Sequence, residues 1–207
     1  MQNLSAAHRE ISASTIGRYR AMATSYREGT WNHDVSQNIQ ALLAAIAGVP
    51  PYRILDLGCG PGRDLVTFRD LGHVVVGLDG CPEFVAMARA VSGCEVWQQD
   101  LLAMTLPPAT FDGVFANAVL FHVPSRALPV VLDQLHAALK PGGVLLASNP
   151  RGQTRRASSM AVTRVSIAST RGDGWSPAAG LPWSTTLSAR PASPAASSHG
   201  SPPSGAR

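Results

Sequence analysis

The stretch ILDLGCGPGRDLVTF (54–68) passes from an apolar run through a glycine-rich turn straight into a segment with helical spacing. A strand that feeds a helix through so short a turn is the first half of a βαβ unit. The alternation then continues. HVVVGLD (73–79) reads as a second strand, PEFVAMARAV (82–91) as a helix, EVWQQD (95–100) as a third strand and FDGVFAN (111–117) as a fourth. After a PGG turn, VLLAS (144–148) makes a fifth. Strands alternating with helices of this length pair in parallel, and right-handed crossovers place helices on both faces of the sheet. The expected fold is therefore α/β: a Rossmann-like, doubly wound, mainly parallel sheet with five recognisable strands.

Around this block the helical spacing predicts three more segments. Ile16, Tyr19, Met22, Ala23 and Tyr26 fall on one face of a helix over 14–28. Asp34 can cap a second helix whose face carries Ile39, Leu42, Leu43 and Ile46 and which ends at Gly48. Ser125 can cap a third carrying Leu128, Val131, Leu132, Leu135 and Leu139.

A chain of 207 residues can bury a real core as one domain. It holds no apolar run near the roughly 18 residues that a membrane span needs. The opening MQNLSAAHREISAS lacks the apolar centre of a signal peptide. Cys59, Cys81 and Cys94 form no CxxC pair, and three scattered cysteines suit reduced thiols, so a cytoplasmic setting is expected. Residues 1–150 carry 10 basic and 12 acidic residues, whereas 151–207 carry seven arginines and one acid, Asp173. The basic character belongs to the tail. Such a tail can bind nucleic acid without specificity, but no specific nucleic-acid partner is expected.

The chemistry concentrates at the strand ends. In DLGCGPG (56–62), glycines permit the tight turn and let a ligand approach the backbone, and the helix behind them offers free amides and a positive dipole end. Asp79 closes the second strand, 19 residues after Gly60, where an acid can accept from both hydroxyls of a ribose. Asp56 stands at the entry to the loop, where it would repel a pyrophosphate but suits an ammonium group. Asp100 ends the third strand and can accept from an adenine amino group. Asn117 ends the fourth beside the same crevice. Ribose, adenine and amino-acid handles together describe S-adenosylmethionine. The bland alternatives are a strand-end turn residue for Asp56, a helix cap for Asp79 and a solvated loop acid for Asp100. His122 follows the fourth strand and can act as a general base or pack as structure. Tyr19 and Tyr26 can close over a ligand or pack between helices. His33 and Asp34 can line an acceptor site or simply cap a helix.

In order and spacing, ILDLGCGPGRD, VVGLDG, QQDLL, FDGVFANAVLFHV and LKPGGVLLAS resemble the motifs of class I S-adenosylmethionine-dependent methyltransferases. YREGTWNHDVSQNI (26–39) is similar to the N-terminal segment of a small bacterial subgroup of that family. The resemblance covers roughly residues 14–152. It implies that Gly58, Gly60 and Gly62 run along the methionine part of the cofactor, that Asp79 and Gly80 meet the ribose side, that Asp100 and Leu101 meet the adenine, and that Asn117 lies near the methionine end. It implies methyl transfer to a small-molecule acceptor with no metal. A nucleotide-dependent oxidoreductase is the rival enzyme class, and an inactive or unstable remnant that at most binds cofactor is the rival without activity.

The family continues past its fifth strand with a helix and two further strands. Residues 153–207, rich in Ser, Ala, Pro and Arg, show neither strand nor helix period, so a domain over 1–152 is expected to carry a disordered or irregular tail over 153–207 with the last two family strands missing. Back-translation suggests the cause. With permitted codons, His199 to Gly205 read from the third base of the first codon give WLATVW, and the same offset turns Gln153 to Ala157 into DEEG. Both strings resemble the family's C-terminal segment, so the tail reads as frameshifted after about residue 152.

Overall fold

The computed structural model describes residues 6–149 and 161–165. Its centre is a six-stranded sheet in the order β3-β2-β1-β4-β5-β6. The strands are β1 (Arg53–Leu57), β2 (Val74–Asp79), β3 (Glu95–Gln98), β4 (Phe111–Asn117), β5 (Leu139–Asn149) and β6 (Ala161–Val165). Pairings among β1 to β5 are parallel, and β6 runs antiparallel to β5. The helices are α1 (Ala6–Ala21), α2 (Ala23–Thr30), α3 (Ser36–Leu43), α4 (Arg63–Asp70), α5 (Pro82–Ser92) and α6 (Leu128–Ala138), with a short 3-10 turn at Leu120–His122.

Alternation along the strands divides the core in two. Leu55, Leu57, Val76, Leu78, Val114 and Leu145 face α6, where Val131 and Leu135 meet them. Ile54, Val75, Phe115 and Leu146 face the other side, against Leu42 of α3, Phe68 of α4 and Ala88 of α5. Both faces are thus covered, as a parallel sheet requires. Asp56 shares the parity of Ile54, so its carboxyl falls on the α3–α4–α5 side, 2% exposed. The order reverses between β1 and β4, and the carboxyl ends of these two strands open the crevice where α/β folds place their ligands.

The five-strand parallel core matches the sequence reading; the second helix spans Ser36–Leu43 with Val35 rather than Asp34 at its N-cap and ends before Gly48, and four further differences stand out. The helix expected over 14–28 begins at Ala6 and breaks at Met22, whose backbone is not helical. The run from Ala6 is made of good helix formers but has little apolar period, which hides its start. Ser125 does not cap α6. The amides of Ala127 and Leu128 bond to the Pro124 carbonyl, and the helix opens one turn later at Leu128. Leu139, expected on that helix, instead opens β5 and pairs with Phe111. The PGG segment is then absorbed as an irregularity before Val144 pairs with Gly113.

The fourth difference is β6. The sequence pattern predicts no strand beyond residue 152, yet Ala161–Val165 pairs with Leu145–Asn149. The reason is the sheet rather than the tail's own pattern: β5 would otherwise present a row of open amides and carbonyls, and AVTRV is rich in β-branched residues that suit a strand. The rest of the expected irregular tail, 153–160 and 166–207, lies outside the described residues.

Candidate active site

At the carboxyl end of the sheet the chain leaves β1 into the glycine loop. Its shape is fixed from β2: the amides of Gly58 and Cys59 donate to the Leu78 carbonyl at 2.7 and 3.1 Å. The Gly60 amide donates to Oδ2 of Asp79 at 2.9 Å, and the Cys81 amide donates to Oδ1 at 2.8 Å. Asp79 therefore clamps the loop of one βα unit to the turn of the next. Burial raises its carboxyl above the usual carboxylate range, against the pull of the amides of Cys81, Gly60 and Gly80.

Two clefts flank the loop. The first, about 700 Å³ and open to solvent at its mouth, is lined on one side by Ile16 and Tyr19 of α1 and on the other by Asp79, Asp100, Leu101 and His122. Gly80 lies on its wall, where a Cβ would come within 2.9 Å of Ile16 Cδ1. The second, about 1020 Å³ and likewise open, is lined by Trp31, His33, Asp34, Arg63, Asp64 and Asn117 among others. Tyr26, Gly58, Gly60 and Ala118 line both. They are two chambers of one groove, with the Tyr26 ring facing the position where a side chain on Gly60 would stand.

Most of the residues expected from the sequence meet in this groove. Asp79, Gly80, Asp100, Leu101 and His122 border the first chamber, Asn117 the second, and Gly58 and Gly60 both. Asp100 Oδ1 also accepts the Leu102 amide at 2.9 Å, and Asn117 Oδ1 accepts from Asn38 Nδ2 at 3.0 Å. Tyr19, Tyr26, His33 and Asp34 line the groove as well, and Asp34 Oδ1 accepts the Ser36 amide at the start of α3. Two residues stand apart. Gly62 borders neither chamber and serves close packing: a Cβ there would lie 2.7 Å from the Ala88 Cα. Asp56 also borders neither, and its Oδ2 is buried without a hydrogen-bond partner. Burial first, then the charge of Asp64, raises its carboxyl well above the ordinary range.

Sequence reasoning misses Arg63, Asp64, Ala118 and Val119. Arg63 and Asp64 form a two-point ion pair at 2.7 and 2.9 Å, and Arg63 Nη1 donates to the Thr30 carbonyl, tying α2 to α4 across the second chamber. The adjacent opposite charges in GRD are a visible signal. Ala118 adopts φ +55°, rare outside glycine, and its amide bonds to the Ser148 carbonyl at 2.6 Å. That reversal brings Val119 onto the loop, where a Cβ on Gly58 would come within 2.3 Å of Val119 Cγ2. No sequence signal marks it. Among the described residues, no helix is long and apolar enough to cross a membrane, and no cluster of three His, Cys, Asp or Glu is placed to hold a metal.

Comparison with known proteins agrees with this geometry. Residues 54–143 match the family model of a methyltransferase domain. A trans-aconitate 2-methyltransferase of Azoarcus sp. (strain BH72) is 38% identical over 112 residues, covering 53% of this chain and 44% of the relative. The chain thus spans less than half the length of such curated relatives. Among solved structures, the DhpI complex with SAH superposes with a TM-score of 0.56 at 26% identity, covering 76% of this chain and 80% of that one. The Burkholderia thailandensis 1,6-didemethyltoxoflavin-N1-methyltransferase shares the fold, with a TM-score of 0.59 at 24% identity over 74% of this chain and 69% of that one. Residues 54–143 thus resemble a methyltransferase domain, and the sheet order and glycine loop suit that resemblance.

Proposed function

We propose that the groove binds S-adenosylmethionine and that the chain transfers its methyl group to a small-molecule acceptor. The observation that carries this reading is the Asp79–Gly60 hydrogen bond, which makes the acid at the end of β2 and the loop after β1 one rigid floor for a ribose. The residues fit the ligand on two counts. Gly58 and Gly60 leave the loop backbone open to close approach. The groove carries Asp34, Asp64, Asp79 and Asp100 against Arg63, which is itself paired, so its field favours a cationic ligand. Asp79 would hold the ribose, Asp100 and Leu101 the adenine, and the loop with Asn117 the amino-acid end. The SAH bound to DhpI, a protein of the same fold, supports the same choice of cofactor.

When bound, the cofactor supplies a methyl group already activated on a sulfonium. The chain's own task is to align the acceptor and exclude water. Tyr19, Tyr26 and Phe84 form an aromatic wall, with ring centroids 5.2–5.7 Å apart, that shields the first chamber. His122, whose pKa burial lowers, stays neutral near pH 7 and able to take a proton. The curated relative from Azoarcus acts on a small molecule, trans-aconitate, so a small-molecule acceptor is the class to search.

The reading is tested by incubating the protein with S-adenosylmethionine and a panel of small hydroxy, carboxy and amino compounds that includes trans-aconitate, and following S-adenosylhomocysteine release. Acceptor-dependent release above background is expected. A folded protein that binds S-adenosylhomocysteine but turns over nothing in the panel supports the inactive-remnant alternative.

A further inference from the structure

The hydroxyl of Tyr19 lies 2.9 Å from Nε2 of His122, joining α1 to the turn after β4 across 103 residues of sequence. The two rings meet edge to face with centroids 5.3 Å apart, and both residues line the first chamber. Phe121, half exposed, packs on the imidazole at 4.0 Å between centroids. Engaged by Tyr19, Nε2 is not open to an acceptor in the groove.

Resting on the methyl-transfer reading, we propose that Tyr19, and not His122, is the group that meets the acceptor, with His122 as the proton store behind it. In this arrangement Tyr19 donates its hydroxyl to Nε2, which fixes the proton of the neutral imidazole on Nδ1. As the acceptor's O–H or N–H proton moves to the Tyr19 oxygen, the tyrosine's own proton moves to Nε2. The acceptor atom forms its bond to the methyl carbon while the sulfur keeps the pair from the broken S–C bond. The chain is left with a neutral tyrosine and an imidazolium, which then gives its proton to solvent. Tyr19 never becomes a free phenolate. That matters because burial, with Tyr26 and Asp79 adding to it, holds its pKa above the ordinary phenol value, and burial lowers that of His122. Desolvation thus opposes charge on each residue separately, and a coupled transfer avoids charging the tyrosine.

The test uses the whole chain with S-adenosylhomocysteine as probe. Nitrogen-15 NMR of the imidazoles in the complex reports the His122 tautomer, and calorimetry on the same samples reports affinity. The expected result is Nδ1–H in the wild type, lost in favour of Nε2–H in Tyr19→Phe, with affinity changed less than about threefold. Nε2–H in the wild type overturns the relay, as do His122 signals that Tyr19→Phe leaves unmoved or a large loss of affinity in that variant, which would make Tyr19 a binding residue. The wild-type tautomer needs no variant, so a poorly folded Tyr19→Phe leaves the proposal decidable. Absence of S-adenosylhomocysteine binding in the wild type would instead count against the cofactor reading.

Discussion

Asp79 accepts the Gly60 amide at 2.9 Å across 19 residues of sequence, with its second oxygen on the Cys81 amide. The same carboxylate that shapes the loop is the one proposed to hold the ribose. Asp79→Ala should therefore weaken S-adenosylhomocysteine binding by roughly 1.5–3 kcal/mol, the scale of hydrogen bonds to a charged group. Asp79→Asn keeps one acceptor oxygen and should lose less. Calorimetric titration of both variants checks the ranking, and equal affinity in Asp79→Ala and wild type contradicts the role.

Asp56 carries a pH signature. Its folded pKa is raised above the unfolded value by burial and by Asp64, so the folded state keeps a proton that the unfolded chain gives up. The stabilising contribution is then complete below an unfolded pKa of about 4 and declines as pH rises through the folded value; Asp79 pulls in the same direction. Asp56→Asn should raise Tm at pH 7 and flatten the decline of stability as pH rises above about 4. Thermal melts across that rise in pH decide it. A lower Tm at pH 7 in the variant would show that a contact within the fold offsets the cost of the buried carboxylate.

Two glycines of one loop should respond differently. Gly62 has φ +93°, and a Cβ would lie 2.7 Å from backbone of α5, so Gly62→Ala should cost at least about 2 kcal/mol and lower Tm. Gly60 has φ +52° but its nearest neighbour is Tyr26 Cε1 at 3.9 Å, so Gly60→Ala should cost only about 1 kcal/mol of stability. Its new methyl stands in the groove, and ligand affinity should fall much further than stability does. Paired melts and titrations separate the two effects.

Asn117 supports Asn38, which is fully buried and whose Nδ2 donates to Asn117 Oδ1. Asn117→Ala leaves that donor orphaned and should cost about 1–3 kcal/mol, whereas Asn117→Asp keeps the acceptor and should cost less. Urea unfolding of the two variants measures the difference.

These positions also show what a sequence can reveal. Gly58, Gly60, Asp79, Asp100 and Asn117 are readable as groove-lining positions because strand ends and glycine turns place such groups at one end of a parallel sheet whatever the details. The Tyr19–His122 contact is not readable. Each residue has a bland packing role, and only the path of α1 over the groove brings them together. The reversal at Ala118 is equally hidden, since alanine carries no signal for φ +55°. From its place at the loop entry, Asp56 reads as a ligand group. The alternation of β1 turns it instead into the layer beneath the loop, a consequence of parity that the motif alone does not display. β6 arises from the open edge of β5, a tertiary demand absent from its own local pattern.

The groove is proposed above all to hold S-adenosylmethionine across Gly58 and Gly60, with Asp79 beneath the ribose. Isothermal titration of the purified full chain with S-adenosylhomocysteine tests this most directly. Saturable binding at one site per chain is expected, weakened by Asp79→Ala and by Gly60→Ala. A folded wild-type protein that shows no saturable binding at millimolar ligand would contradict it.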